Sequence, residues 1–258
     1  MPTSPTILVF DSGVGGLTVF REMRRARPDA RFIYLADDAG FPYGNQPEDA
    51  LIARIVAVIG DAIARHAPDL IVIACNTASV LALADLRARF EVPFVGTVPA
   101  IKPACAQSAS KRIAVLGTQA TVSREYTRAL IREFASACEV VLVGSPKLAT
   151  YAEYELAGEP VSDSDIASEI APCFVDKGTR TDTLVLACTH YPLLVERFRA
   201  LAPWPVDWLD PAPAIARRVA DLLRERPANY AAAGQTIEFT SGRHPPSALA
   251  SALTQFGF

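Results

Sequence analysis

Apolar and polar positions along this chain alternate in blocks rather than residue by residue. Ile7 to Phe10 is a short unbroken apolar run that stops at Asp11-Ser12-Gly13-Val14-Gly15-Gly16, after which Leu17, Phe20 and Met23 recur at helical spacing. That segment reads as strand, glycine-rich loop, helix. The same alternation predicts strands at Arg31 to Ala36, Leu70 to Ala74, Arg112 to Leu116, Val140 to Val143 and Leu184 to Ala187. Helices are predicted over Pro47 to His66, Ser79 to Phe90, Thr121 to Ala137 and Pro192 to Ala200. Strands that are apolar throughout belong to sheets covered on both faces, so the pattern implies a parallel α/β architecture.

The pattern also echoes itself. Ile7 to Phe10 resembles Ile113 to Leu116 at an offset of 106, and Tyr34-Leu35-Ala36 resembles Leu142-Val143-Gly144 at 108. Leu70 to Thr77 resembles Thr183 to His190 at 113, repeating a polar loop as well as a strand. Three matches in order predict two similar α/β halves related by pseudo-symmetry. Prolines concentrate at Val98 to Pro103 and again from Pro203 to Pro213, which puts the first domain at 1–98 plus 210–258 and the second at 99–209. The tail from Asp210 is too short for a domain of its own and is expected to return to the first half. Open α/β sheets bind ligands beyond the carboxyl ends of their strands, so the active site is expected in the cleft between the halves.

Composition narrows the classes. Of 258 residues, 50% are hydrophobic and 21% charged, which excludes disorder and coiled coil. The longest apolar stretch, Leu70 to Cys75, falls far short of the roughly 18 residues of a membrane helix. No basic flank and long apolar region mark the N-terminus, so a cytoplasmic location without membrane association is expected. A net charge of −3 gives no support for a nucleic-acid partner and favours a small-molecule ligand. Five cysteines without a Cys-x-x-Cys pair, and three histidines, argue against a disulfide framework, a structural metal site or a metal requirement. A homodimer is compatible with the sequence, which leaves its arrangement open.

Cys75 and Cys188 carry the most specific chemical signal. Each closes a strong apolar strand and precedes two polar residues and a helix, where backbone N–H groups are expected to favour the thiolate. Two thiols across a cleft suit one task in particular: taking a proton from one face of a carbon and returning one to the other. Cys105, Cys138 and Cys173 lack this context and read as structural. Asp11 to Gly16 matches neither the dinucleotide fingerprint nor the P-loop, but its N–H groups could bind a carboxylate, and Asp11 an ammonium. Asn76, Thr77, Thr189 and His190 add amide, hydroxyl and imidazole groups beside the sulfurs. Tyr43 and Gly44 sit in a turn after the second strand, and Glu153 and Glu155 in a helix-like stretch after the fifth. On the residues alone three readings stand: a two-base racemase of an amino diacid, a cysteine hydrolase or decarboxylase using Cys188 with His190, and a non-catalytic dicarboxylate-binding protein.

At these residues the chain resembles the glutamate racemases, cofactor-independent enzymes of the aspartate/glutamate racemase superfamily. The motifs are Asp11-Ser12-Gly13-Val14-Gly15-Gly16-Leu17-Thr18, Pro42-Tyr43-Gly44, Ala74-Cys75-Asn76-Thr77 and Ala187-Cys188-Thr189-His190-Tyr191-Pro192. The resemblance, running from Ile7 to at least Asp210, implies two flavodoxin/Rossmann-like domains sharing a cleft. It implies interconversion of L- and D-glutamate without a cofactor, the D-isomer serving bacterial peptidoglycan synthesis. By motif, Cys75 would deprotonate D-glutamate and Cys188 L-glutamate, with Asp11, His190 and Glu153 assisting. Asp11, Ser12, Tyr43, Gly44, Asn76, Thr77, Thr189 and His190 match substrate-contacting positions. The sequence departs from the family pattern at Asp38, commonly Thr, and at Gly40, usually larger. Asp38 is expected to point away from a dianionic substrate.

Overall fold

The computed structural model describes residues 4–226 and 233–258; residues 1–3 and 227–232, part of the expected first domain, lie outside the described residues. The first half runs β1 (Thr6–Asp11), α1 (Leu17–Ala26), β2 (Arg31–Ala36), α2 (Glu48–His66), β3 (Leu70–Ile73), α3 (Asn76–Arg89) and β4 (Phe94–Gly96). The second runs α4 (Ile101–Gln107), β5 (Arg112–Thr118), α5 (Gln119–Ser123), α6 (Glu125–Phe134), β6 (Glu139–Ser145), α7 (Leu148–Leu156), α8 (Asp163–Ile170), β7 (Thr183–Ala187), α9 (Val195–Leu201) and β8 (Asp207–Leu209). The tail adds α10 (Ala212–Leu222), β9 (Gly234–Phe239) and α11 (Ser247–Phe256).

Two parallel sheets result, ordered β4-β3-β1-β2-β9 and β6-β5-β7-β8. Their registers repeat the spacing read in the sequence. Val9 pairs with Tyr34 and Val72, and Val115 pairs with Leu142 and Val185, so the three strand pairs are offset by 106, 108 and 113 residues. Alternate residues of each central strand enter different cores: Ile7 and Val9 one, Leu8 and Phe10 the other, as Ala114 and Leu116 part from Ile113 and Val115. Both faces of both sheets are therefore covered, which is why these strands are apolar throughout.

The helices follow from the same pattern. In α1, Leu17, Phe20 and Met23 are buried while Arg21, Arg24 and Arg25 are exposed, the stripe that lays a helix on a sheet. The tail joins the first sheet as β9, parallel to β2. Arg27, paired with Asp29, donates from Nη1 to the Leu223 carbonyl at 2.7 Å, and the Phe20 and Phe258 rings lie 4.8 Å apart.

Some boundaries differ from expectation for local reasons. The single helix expected over Thr121 to Ala137 is two, because Arg124 is extended (φ −75°, ψ 145°). Thr118 caps α5, and the Thr127 hydroxyl donates to the Thr121 carbonyl at 2.7 Å, which competes with helix continuation. The helix expected from Pro192 starts as a 3-10 turn, Tyr191–Leu194, before α9. β4 and β8 are three residues long and leave no periodic signal to read. Among the described residues no helix is long and apolar enough to cross a membrane.

Candidate active site

Cys75 lies two residues beyond β3 as the N-cap of α3, which begins three residues earlier than the sequence pattern suggests. The Ala74 N–H still donates to the Phe10 carbonyl at 2.8 Å, so the backbone turns out of the sheet at the cysteine itself. Its Sγ accepts from the Ala78 N–H at 3.5 Å, and the thiol donates to Ser12 Oγ at 3.7 Å. The expectation that the helix start favours a thiolate is reversed here. Burial pushes the Cys75 thiol well up, the nearby Asp11 charge adds to this, and the Ala78 N–H and Ser12 offset only part of it. Cys75 rests as a protonated acid.

Cys188 follows β7 directly and stands before a 3-10 turn rather than an α-helix. Its Sγ is 3.8 Å from His190 Nδ1. The imidazole is 1% exposed, and its Nε2 lies 2.8 Å from Glu153 Oε1. Burial alone would lower the His190 pKa, but its bonds to Cys188 and Glu153 outweigh burial and raise it well above 6.5. The ring is then an imidazolium at neutral pH, paired with a carboxylate on one side and facing a sulfur on the other.

Asp11 and Glu153 tie the halves together behind this chemistry. Asp11, at the end of β1, is 0% exposed; Oδ2 accepts from the Gly13 and Gly16 N–H groups at 3.2 Å each, and Oδ1 accepts from the Thr189 hydroxyl at 3.0 Å. Burial raises its pKa above 3.8, against the lowering effects of His190 and these bonds. Glu153, from α7, accepts the Val14 N–H at 2.8 Å with the same oxygen that meets His190. The glycine-rich loop thus serves a purpose its sequence does not reveal: it gives His190 and Glu153 of the other half room to approach. A Cβ on Gly13 would stand 2.2 Å from Glu153 Oε1, and one on Gly15 2.5 Å from His190 Nδ1.

A narrow cavity of about 20 Å³ between the halves is lined by Ser12, Tyr43, Gly44, Cys75, Asn76, Thr77, Cys188, Thr189 and His190, all singled out from the sequence. Asp11 and Glu153 stand behind the lining, bonded to Thr189 and His190, so Asp11 reaches the cavity through Thr189 rather than directly. Both polar atoms of the Asn76 side chain are buried without a hydrogen-bond partner among the described residues. Leaving a buried amide unsatisfied costs about 1 to 3 kcal/mol, so this one awaits a polar ligand.

Sequence reasoning missed Thr118, Ser145, Pro146 and Ala149, which complete the lining from the second half. Thr118 and Ser145 close β5 and β6, so the strand-end rule that found the cysteines would have found them too. Thr118 Oγ1 is 3.1 Å from Thr77 Oγ1, a hydroxyl contact across the halves. Asp38 turns from the cavity: Oδ1 accepts the Ser241 N–H at 2.9 Å and Oδ2 the Ser241 hydroxyl at 2.5 Å. Cys105, Cys138 and Cys173 lie outside the lining, and burial pushes Cys173 up to about 12. Among the described residues no group of three or more His, Cys, Asp or Glu is arranged to hold a metal ion.

Residues 14–219 match the family model described as Asp/Glu/Hydantoin racemase. A glutamate racemase of Brucella canis is 54% identical, the match covering 99% of this chain and 96% of that one. The crystal structure of Escherichia coli glutamate racemase in complex with L-glutamate and the activator UDP-MurNAc-Ala superposes with a TM-score of 0.91 at 40% identity, covering 99% of this chain and 96% of that chain. Glutamate racemase from Thermus thermophilus, solved with β-chloro-D-alanine, gives 0.76 at 32% identity over 98% and 93%.

Proposed function

The chain belongs to the Asp/Glu/hydantoin racemase family, and from that premise we propose that it interconverts L- and D-glutamate by two-base proton transfer between Cys75 and Cys188. One observation carries the reading: each half contributes one cysteine to the lining of a single cavity. Removing a proton from one face of Cα and delivering another to the opposite face needs an acid and a base of opposite protonation state. Cys75, held protonated by burial, is the donor when L-glutamate is consumed, and Cys188 is the acceptor. His190, whose Nδ1 faces the Cys188 sulfur, exchanges a proton with it, while Glu153 orients the ring and balances its charge. In the reverse direction Cys75 first gives up its resting proton, with Asp11, whose carboxyl is raised by burial, as the neighbouring assisting group, and then deprotonates D-glutamate while Cys188 delivers a proton supplied by His190.

The substrate's polar ends meet groups suited to them. Asn76 supplies an amide with both functions unused, and Ser12, Thr77 and Thr189 supply hydroxyls. Tyr43 and Gly44 begin a 3-10 turn, whose first N–H groups have no partner within the turn. No step requires a cofactor or metal. A cysteine hydrolase using Cys188 and His190 would leave Cys75 idle, and its position in the lining favours the racemase. The D-isomer would feed peptidoglycan synthesis and so cell-wall biogenesis and cell shape. Five free thiols suit the reducing cytoplasm.

The test is incubation of L-glutamate with the protein in heavy water, with chiral chromatography and proton NMR. D-glutamate carrying deuterium at Cα is expected. Unlabelled D-glutamate, or no D-glutamate at all, overturns the reading.

A further inference from the structure

We propose that Arg54 and Thr240 are positioning residues for the racemisation, holding the Tyr43–Gly44 wall of the substrate cavity in place through the carboxylate of Asp37. The inference rests on the proposed function and deepens it.

Asp37 follows β2 and is 0% exposed. Its Oδ2 accepts from the Tyr43 hydroxyl and from Arg54 Nε at 2.6 Å. Its Oδ1 accepts from Arg54 Nη2 and from Thr240 Oγ1, each at 2.5 Å. A carboxylate offers about four lone-pair sites, and here four donors occupy them. Burial alone would raise this carboxyl, yet the Arg54, Thr240 and Tyr43 bonds bring it below its ordinary value. Asp37 is therefore a saturated anchor with no capacity left for the substrate, and what it anchors is Tyr43. That ring packs in the same core cluster as Cys75.

The anchor is built from three parts of the chain. Arg54 comes from the second turn of α2, and its planar fork grips both carboxylate oxygens. Gly40 leaves the space: a Cβ there would stand 2.5 Å from Arg54 Nε and 2.8 Å from Asp37 Oδ2. Thr240 comes from the residue after β9, where its N–H continues the ladder to the Ala36 carbonyl at 3.0 Å. The next residue, Ser241, holds Asp38 with its N–H and hydroxyl. Two successive hydroxyls of the tail thus bind two successive carboxylates at the start of the loop that leads to Tyr43. The C-terminal strand supports the active site from behind, without touching it.

A bond that only stabilises the fold and a bond that positions the wall respond differently to substitution. Thr240→Val preserves shape and removes one donor; Arg54→Lys preserves charge and removes the fork. Each is expected to raise KM for both enantiomers about 5-fold, the cost of one hydrogen bond, with kcat held within about twofold. In a Tyr43→Phe background, where the link to the wall is already cut, Thr240→Val should change KM by less than about twofold. Calorimetric binding of D-glutamate in a Cys188→Ser background, where turnover is blocked, reads the same ratios as Kd. Unchanged KM and Kd in Thr240→Val, or a full effect persisting in the Tyr43→Phe background, would overturn the inference. Should Arg54→Lys not fold, Thr240→Val carries the test by itself. An inactive wild type fails the proposed function, whereas an active wild type with insensitive variants fails this inference alone.

Discussion

Asp11 is a carboxylate kept where water cannot reach it. Because its folded pKa lies above the ordinary 3.8, its contribution to stability is complete below about pH 4 and is lost as pH rises through the folded value. At neutral pH the ionised group therefore costs stability that the site's chemistry requires. Asp11→Asn, which keeps an acceptor for the Gly13 and Gly16 N–H groups, is expected to melt about 2 to 4 °C higher than wild type at pH 7.5. The advantage should shrink near pH 4, and racemisation should fall about 10²-fold, the scale of a lost acid–base assistant. Thermal unfolding at the two pH values, beside polarimetry, checks all three. The cysteines show the opposite balance. Cys75→Ser and Cys188→Ser should each lower kcat by about 10² to 10⁴ with little change in melting, because serine occupies the same space but a hydroxyl is a far weaker acid than a thiol. Both sulfurs were legible from strand ends in the sequence. The protonation state of Cys75 was not, since burial by residues distant in the chain sets it.

At the scale of elements, the glycine-rich loop between β1 and α1 is a place where the two halves meet closely. A Cβ on Gly15 would stand 2.6 Å from His190 Cγ and 2.7 Å from the His190 backbone nitrogen, so neither a rotamer change nor a small ring tilt can relieve it. Gly15→Ala must push the halves apart. Misplacement of about 1 Å can cost 10²-fold, and that is the expected loss in kcat/KM, with the secondary structure retained by circular dichroism. The long strands were readable as unbroken apolar runs, and α1 and α2 because each carries its own apolar period. The break at Arg124 and the 3-10 turn at Tyr191 were not, because side-chain hydroxyls and a proline redirect the backbone there without altering that period.

The whole molecule is two repeats of one strand order with a third segment added to the first. Because the cavity is formed by both, substrate bound to the folded pair stabilises the pair. At 100 times its Kd, either enantiomer of glutamate should add about 2.7 kcal/mol and raise the melting temperature by about 5 to 10 °C. Differential scanning fluorimetry of a Cys75→Ser, Cys188→Ser double variant with L- and D-glutamate separately checks it, and a shift with one enantiomer alone would contradict a cavity that serves both directions. The sequence by itself determined the two parallel α/β halves, their internal offsets and the strand-end placement of both cysteines. These follow from apolar periodicity and from where strands stop, which are local properties. Only the tertiary structure decided that Asp11 meets Thr189 across 178 positions, that Glu153 reaches Val14 across 139, and that Thr240 secures Asp37 across 203. Those contacts depend on how two finished halves and a returning tail pack, and no short window of sequence contains both partners.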